Sequence, residues 1–572
     1  MENITYMECD VLVLGGGAAG IRAAIEAADL GSDVVMVSKK RQGRCGSTFY
    51  PKSLPWGILM SGGGQSDREE FLREILQTGC GCLDESLTEI LVRDSNERFE
   101  DLCSYGIRFT LLEERKEKPC FGKKSRGAQL EDSENARRCL AGEIARRNIR
   151  VLEDIFIYDL IVQDGRCCGA VGICPDGGEI AIGAGAVIMA AGGAEALWKY
   201  SLATSDITGD GYAMALKYGA RLTNLEFIQF IPGSTGPVKG INFHHPTLAS
   251  LPAVLNGREE EFLPKYLPPG VTVEACLRER AGHGPFSSED LSRFFDIGVC
   301  MESGYQGVKI VYPETYYQDP RYAQWRNYLS LNGVDTVKTP LYIVPHCQGF
   351  NGGILIDDGC RTGLENLYAC GECAGGPHGA NRMGGNAILA TQVFGKIAGE
   401  NAAKSARNAR KGRSTLKPDP GLLRRIRNGY DTGVASTVTP EEVLGNIKQL
   451  MHENGMIVRK EENLRRAVDK IHNLRKSFNP AAFRQNRVHA VNAFHALSVS
   501  EAILHAMLYR RESRGAHYRE DFPGKNEEFG QMNHVWMDGS GNITSSFRLR
   551  EDAPVENGAE GRQMWPAVGN RI

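Results

Sequence analysis

A glycine-rich segment near the N-terminus has the spacing of a nucleotide-binding turn. Gly15–Gly20 reads GGGAAG; it follows an apolar run that starts at Asp10 and precedes an alanine-rich helical stretch, and a second β-branched run ends at Ser38. In such a βαβ unit the first glycine permits a tight turn, the second lets the backbone approach a pyrophosphate, and the third lets helix and strand pack closely. Unpaired N–H groups at the helix start attract phosphates. The pattern predicts a dinucleotide site.

The end of the second strand does not say which dinucleotide binds. The acidic residue that usually holds a ribose hydroxyl is replaced by the run SKKR, residues 38–41. Its three cations could hold the 2′-phosphate of NADP, or they could form a solvated basic turn. The spacing alone leaves both alternatives open.

Length and composition limit the class of protein. A chain of 572 residues predicts several domains, and a net charge of −3 does not favour nucleic acid or an anionic membrane surface. No apolar run approaches the roughly 18 residues of a membrane span, and the first ten residues lack the features of a secretory signal. The 16 cysteines include no CxxCxxC run, so neither an iron–sulfur cluster nor another metal site is predicted. We expect a cytoplasmic protein that binds no nucleic acid and has no transmembrane segment.

Further blocks along the chain resemble the succinate dehydrogenase/fumarate reductase flavoprotein family, which includes L-aspartate oxidase. In order they are RCGSTFY (44–50), MAAGG (189–193), TGDGYAMAL (208–216), EFIQF (226–230), NGGILID (351–357), LYACGECAGGPHGANRMGGNAILATQVFG (367–395), GMIVR (455–459) and SRGAHYREDFP (513–523). The HGANR and SRGAHYRED blocks are long and unusual. The resemblance covers nearly the whole chain up to about residue 523 and implies FAD, not NADP.

The resemblance implies an α/β fold with a Rossmann-like FAD-binding domain, an inserted α+β capping domain and a C-terminal helical domain. The predicted parts are 1–237 and 345–410 for the FAD-binding domain, 238–344 for the capping (substrate) domain, 420–530 for the helical domain and 531–572 for a polar tail of unassigned role. Residues 238–344 lack βαβ rhythm, and residues 440–512 carry helical apolar spacing, in agreement with this division.

The cofactor contacts follow from matching positions. In the respiratory enzymes of the family a histidine binds the flavin covalently, whereas Ser47 occupies that position here, so the resemblance implies non-covalent FAD. The implied contacts are Gly15, Gly17, Ala18, Ala19, Gly20, Ser38, Lys39, Ser47, Thr48, Gly192, Asp210, Glu372, Arg382, Ala387, Ile388 and Leu389.

The dicarboxylate-binding positions of the family are largely replaced. Two of its histidines fall on Ile231 and Gln348, its threonine on Phe243, and its proton-donating arginine on Gly270, whereas the arginine of HGANR is kept as Arg382. An apolar replacement of hydrogen-bond donors cannot offset the desolvation of a dianion. We therefore predict a substrate other than fumarate, succinate or aspartate, with at most one carboxylate. Its predicted contacts are Ile231, Phe243, Gln348 and Arg382.

A reductase of this kind also needs a proton donor. Besides Arg382, the groups available in segments that the resemblance places near the flavin are His244, His245, His346, Lys265 and Arg280. A histidine pair is typical of an acid that switches near neutral pH.

The predicted function is hydride transfer between flavin and a carbon–carbon bond of a small organic substrate. Since only one dinucleotide fingerprint is present, electrons should come from an external carrier: a ferredoxin-like iron–sulfur protein or a reduced flavin. Two alternatives remain open. One is an aspartate-oxidase-like amine oxidase, and the other is a flavoprotein electron-transfer subunit that works with an iron–sulfur partner.

Overall fold

The computed structural model describes residues 4–44, 46–50, 55–114, 118–304, 306–411 and 417–547. Most of the predicted tail, residues 548–572, lies outside the described residues. The strands in the described part are β1 (Ile4–Leu14), β2 (Val34–Val37), β3 (Gly57–Ile58), β4 (Phe109–Leu111), β5 (Ala128–Leu130), β6 (Arg150–Leu152), β7 (Phe156–Gln163), β8 (Arg166–Ile173), β9 (Glu179–Met189), β10 (Leu222–Thr223), β11 (Ile228–Gly236), β12 (Ala253–Leu255), β13 (Val308–Val311), β14 (Leu341–Phe350), β15 (Gly353–Leu355), β16 (Leu367–Ala369), β17 (Ala374–Gly375), β18 (Val458–Arg459), β19 (Tyr518–Arg519), β20 (His534–Met537) and β21 (Ile543–Ser546).

The α-helices of the same residues are α1 (Ala18–Asp29), α2 (Gln65–Gly79), α3 (Glu85–Arg93), α4 (Ser95–Ser104), α5 (Ser133–Arg146), α6 (Asp210–Lys217), α7 (Val273–Arg280), α8 (Arg293–Glu302), α9 (Glu314–Gln318), α10 (Ala323–Leu331), α11 (Asn386–Arg410), α12 (Pro420–Asn428), α13 (Pro440–Asn454), α14 (Glu461–Lys476) and α15 (Arg487–Tyr509).

The largest sheet carries the predicted βαβ unit. Its order is β6-β2-β1-β9-β8-β7, with β16 also paired to β9. Strands β6, β2, β1, β9 and β16 are parallel, and β9-β8-β7 form an antiparallel meander. Strands β1, β2 and β9 read as apolar runs because a parallel sheet is covered on both faces.

Helices α1 and α11 pack closely over this sheet. A Cβ at Gly399 of α11 would lie 2.4 Å from the carbonyl oxygen of Ala23 in α1, so only glycine permits this approach. The two helices run side by side in the same direction, because Gly395 approaches Ala19 as Gly399 approaches Ala23.

The inserted segment has its own core. Strands β11-β14-β13-β12 form a four-stranded sheet, and a separate cluster of buried side chains runs from Ile241 to Ile343. Strand β14 runs through the predicted boundary at residue 344. The FAD-binding, capping and helical parts of the predicted α/β fold are all present.

The helical part ends in a hairpin that the sequence did not reveal. Helix α15 is buried from Ala490 to Leu504, against α13 and α14. Strands β20 and β21, within the predicted tail, pair with each other and extend a sheet through β10. In the described residues no helix has the length and apolar character needed to cross a bilayer.

Candidate active site

One large cavity lies where the FAD-binding sheet, its two glycine-capped helices and the capping segment meet. Its volume is ≈ 1370 Å³, above the roughly 300–1,000 Å³ of a drug-sized ligand site. Residues from α1, α11 and the inserted segment line it. The space therefore suits a dinucleotide together with a small substrate.

The glycines of the fingerprint shape one end of this cavity. Gly15 has φ +125°, and a Cβ there would lie 2.1 Å from the oxygen of Ala190; a Cβ at Gly20 would lie 2.0 Å from the oxygen of Gly15. Gly20 does not line the cavity but lets α1 approach the sheet. The Ala18 N–H donates to Thr48 Oγ1 at 3.2 Å. The N-cap residue of α1 is Gly17, which has no side chain, so the positive end of the helix faces the space for a pyrophosphate.

A second helix start faces the same cavity. Gly385 precedes α11 with φ +97° and no side-chain cap, and Ala387 and Ile388 line the cavity. Leu389, also predicted to contact the cofactor, is fully buried and does not line it. Backbone N–H groups at such a position stabilise the negative charge that a reduced flavin acquires.

Of the three cations in the basic turn, only Lys39 lines the cavity, and its charge is paired. Lys39 Nζ lies 2.8 Å from Asp210 Oδ2 and 2.9 Å from Thr208 Oγ1, and His495 Nδ1 lies 3.1 Å from Asp210 Oδ1. Burial alone would raise the pKa of Asp210, but the Lys39 charge and the His495 hydrogen bond hold it well below its ordinary value. Ser38 donates to the Lys40 carbonyl. This arrangement favours an adenosine pocket over a site for a 2′-phosphate.

The remaining predicted cofactor contacts lie along the middle of the cavity. Ser47, Thr48, Gly192 and Glu372 line it. The Phe350 N–H donates to Glu372 Oε1 at 3.1 Å, so one carboxylate oxygen is fixed by backbone. The donors and acceptors present fit an FAD lying from the α1 end to the α11 end.

Arg382 lies close to the start of α11, in the part of the cavity where a substrate would meet the flavin. Its Nη2 donates to Gln229 Oε1 at 2.6 Å and its Nη1 to the Met383 carbonyl at 3.2 Å. Asn381 Oδ1 accepts from both the Arg382 N–H and Gln229 Nε2. Burial lowers the pKa of Arg382, and Glu372 opposes this shift. The guanidinium is therefore held in one orientation with donors left for a ligand.

Of the three other predicted substrate contacts, two line the cavity and one does not. Ile231 and Gln348 line the cavity. Gln348 is the extra residue of a bulge, because Gln229 pairs with Gly349 and Phe230 with Cys347, and bulges often turn a side chain toward a site. Phe243 does not line the cavity; it packs in the capping core.

The two residues that flank Phe243 line the cavity, although Phe243 itself was the predicted contact. Asn242 and His244 line the cavity, because alternate residues of an extended segment point to opposite sides. His244 stacks on Trp325 with ring centroids 5.4 Å apart. His245 also lines the cavity; burial, followed by the charge of Arg280, lowers its pKa well below the ordinary value. Its imidazole is therefore neutral at physiological pH.

The other predicted proton donors lie outside the cavity lining. Arg280 is fully buried, pairs with Asp296 at 2.7 and 3.0 Å, and donates to the Gly284 carbonyl. His346 Nδ1 lies 3.0 Å from the Val344 oxygen, and burial lowers its pKa to about 4. Lys265 forms an exposed pair with Glu302. None of the three lines the cavity, and each has a polar partner elsewhere.

Several lining or supporting residues escaped the sequence reasoning. His378 and Gln229 stand inside the HGANR and EFIQF blocks, so their motifs could have indicated them. Trp325, Asn242 and Cys120 line the cavity without any local pattern that marks them.

One group of possible metal ligands lies away from the cavity, in the helical part. Within the described residues, ligand atoms of His472, Glu501 and His505 lie within 4.8 Å of one another. Arg475 Nη1 lies 2.5 Å from Glu501 Oε2. That carboxylate already balances a guanidinium, which disfavours a divalent cation.

Comparisons with known proteins agree with this geometry. The FAD binding domain family matches residues 10–244 and 320–388, and the fumarate reductase flavoprotein C-terminal family matches residues 445–556. One subunit of the fumarate reductase (CoM/CoB) of Methanothermobacter marburgensis is 30% identical over 92% of this chain and 97% of its own. L-aspartate oxidase of Streptomyces coelicolor is 27% identical over 91% and 89%.

The fold of a solved structure is also shared. The flavoprotein FrdA of the E. coli quinol fumarate reductase superposes with a TM-score of 0.77 at 23% identity, over 95% of this chain and 97% of its own. The glycine-rich turn, the two helix starts with glycine N-caps and these matches lead to one conclusion. The chain belongs to the succinate dehydrogenase/fumarate reductase flavoprotein family and is an FAD-dependent oxidoreductase.

Proposed function

We propose that this enzyme transfers hydride between non-covalently bound FAD and a carbon–carbon bond of an organic substrate with at most one carboxylate. The observation that carries the proposal is one fixed guanidinium, Arg382, facing a cavity wall in which Ile231 and Trp325 are apolar or aromatic and Gln348 is uncharged. FAD supplies the acceptor or donor of the hydride.

The wall argues against a dicarboxylate. Arg382 can grip one carboxylate through two parallel hydrogen bonds. At the two positions where the family has histidines, Ile231 offers no donor and Gln348 offers an uncharged amide, so neither supplies a charge for a second carboxylate. Leaving a carboxylate poorly paired in a closed site costs several kcal/mol. An enone, an aryl acrylate or a cyclic unsaturated compound fits the lining better.

The chain's own residues perform the positioning. Arg382, anchored by Gln229, orients the substrate carboxylate. Trp325, stacked on His244, covers the capping side and excludes water. Ser47 lines the flavin region with a hydroxyl, which does not form the covalent flavin link that a histidine makes in relatives.

Electrons are proposed to come from a separate carrier, either a ferredoxin-like iron–sulfur protein or a reduced flavin. The support is the single dinucleotide fingerprint and the similarity to a protein whose name makes it one component of a multi-chain reductase. Reduced ferredoxin should bleach the bound flavin anaerobically, whereas NADH or NADPH alone should not. Rapid full bleaching by either nicotinamide would contradict an external carrier.

The substrate proposal is tested by reoxidation. The bound flavin is photoreduced without oxygen and mixed with cinnamate, 2-cyclohexenone or fumarate. We expect an unsaturated compound other than fumarate to restore the oxidised spectrum most rapidly. Rapid reoxidation by fumarate alone would refute the proposed substrate class. Peroxide formation with L-aspartate under air would support the amine oxidase alternative instead.

A further inference from the structure

A short loop joins the two sides of the cavity at Cys120. The Cys120 carbonyl accepts from the Gly384 N–H of the FAD-binding part at 3.1 Å. Its Sγ accepts from the Gly284 N–H of the inserted segment at 3.3 Å. The next residue, Phe121, has φ +64° and stacks on His283 with centroids 4.7 Å apart. The thiol is therefore held in place from both sides of the cavity.

The thiol shares the substrate end with the groups described above. Cys120, His245 and Arg382 all line the cavity. A Cβ built on Gly284 would lie 3.3 Å from His245 Nδ1 and 3.6 Å from Cys120 Sγ, so imidazole and thiol border the same small volume. A Cβ on Gly384 would lie 3.6 Å from the same Sγ. The sulfur thus lies next to the glycine turn that starts α11.

The surroundings suit a thiol that holds its proton until it is needed. Burial raises the pKa of Cys120, so the neutral thiol predominates at physiological pH. The Gly284 N–H and then the guanidiniums of Arg280 and Arg382 act in the opposite direction and favour the thiolate. A group that is neutral at rest and has stabilising partners for its conjugate base meets the requirement for a general acid.

We propose that the Cys120 thiol is the acid that protonates the substrate carbon during carbon–carbon reduction, an inference that rests on the proposed function. The π bond of the alkene is consumed as hydride adds to one carbon and the Cys120 proton adds to its neighbour. The electron pair of the S–H bond stays on sulfur as a thiolate, which accepts the Gly284 N–H. Water restores the proton through the neutral imidazole of His245. This assignment provides the acid that Gly270 cannot supply at the position of the family arginine.

The test separates protonation of carbon from electron transfer. Photoreduced holoenzyme is reoxidised by cinnamate or 2-cyclohexenone, which needs a proton on carbon, and by ferricyanide, which does not. C120A should slow alkene reoxidation about 100-fold or more and leave ferricyanide reoxidation unchanged. C120S should retain a small part of the alkene rate. The matched control C139A, a cysteine of α5 outside the cavity lining, should change neither rate.

The outcomes distinguish the two proposals. If wild type reduces an alkene and C120A does so equally fast, Cys120 is not the acid, although the proposed function stands. If no alkene reoxidises the wild-type flavin, the proposed function fails, and this inference fails with it. Iodoacetamide labelling with peptide mapping adds a readout without turnover: cinnamate should protect Cys120 but not the exposed Cys103. The labelling is run at alkaline pH, because iodoacetamide reacts with the thiolate and burial raises the pKa of this thiol. Equal labelling of Cys120 with and without cinnamate would overturn the proposal.

Discussion

The two ends of the cavity are built by different means. The cofactor end depends mainly on backbone: Gly15 and Gly20, which no other residue can replace, and the starts of α1 and α11, whose N-cap residues are glycines. The substrate end consists of side chains from the inserted segment and from loops, among them His244, Trp325 and Cys120. A site formed by the backbone keeps its ligand while the surrounding sequence diverges. A site formed by side chains can change its ligand through a few substitutions.

If the cofactor end depends on backbone geometry, one methyl group should abolish it. In Gly15→Ala the new Cβ would clash with the Ala190 oxygen at 2.1 Å and hold an L side chain at φ +125°. We expect purified protein with almost no bound FAD, measured by absorbance after desalting. Gly142→Ala, where a Cβ meets nothing within 4 Å, is the control and should keep full flavin content. Normal FAD content in G15A would show that side chains, not backbone, hold the cofactor.

At the substrate end the largest effect should come from Arg382. Arg382→Lys keeps a cation but loses the planar fork that Gln229 orients. We expect the rate with cinnamate to fall about 10²–10³-fold, with a much smaller change for uncharged 2-cyclohexenone. FAD content should stay near that of wild type. Equal losses with both probes would mean that Arg382 does not recognise a carboxylate.

A smaller effect should follow from removing the support of that arginine. Gln229 is fully buried and bonds both Arg382 and Asn381. Gln229→Leu should raise KM for cinnamate about tenfold, equivalent to about 1.4 kcal/mol, because the guanidinium loses its fixed orientation. Gln65→Leu, at an exposed position, serves as the control. An unchanged KM in Q229L would assign the orientation of Arg382 to other contacts.

The smallest expected effect concerns His346, which was predicted to be a proton donor but is buried outside the cavity lining. Burial lowers the pKa of His346 to about 4, whereas a histidine in the unfolded chain has a pKa of about 6.5. The unfolded chain therefore binds more protons between these values, and stability falls as the pH drops through that window. His346→Gln should lose a few degrees less in Tm between pH 7 and pH 4 than wild type does. His489→Asn, an exposed histidine, should follow the wild-type curve. Parallel curves for all three would contradict a neutral buried His346.

Local pattern was sufficient for the βαβ unit and its dinucleotide turn, and the family resemblance supplied FAD and the order of the domains. The GGGAAG turn, the alanine-rich α1 and the apolar β1 and β9 specify a βαβ unit because each depends on neighbours in sequence. The family blocks extended this to the capping and helical parts. Residues 534–546 were missed as strands because both strands are only four residues long, and their place in a sheet depends on pairing with β10 more than 300 residues away, as in Leu222 opposite Val535.

At the substrate end, the sequence by itself determined that Arg382 remained and that Ile231, Phe243 and Gln348 replaced polar positions. Only the tertiary structure decided which of these side chains reach the cavity. A bulge placed Gln348 in the lining, and strand alternation turned Phe243 into the capping core and left Asn242 and His244 facing inward. Arg280 forms a buried ion pair with Asp296, sixteen residues away. The physical reason is that a side chain's direction and its hydrogen-bond partner depend on long-range packing, whereas the backbone turn of Gly15 depends on its own residues and close neighbours.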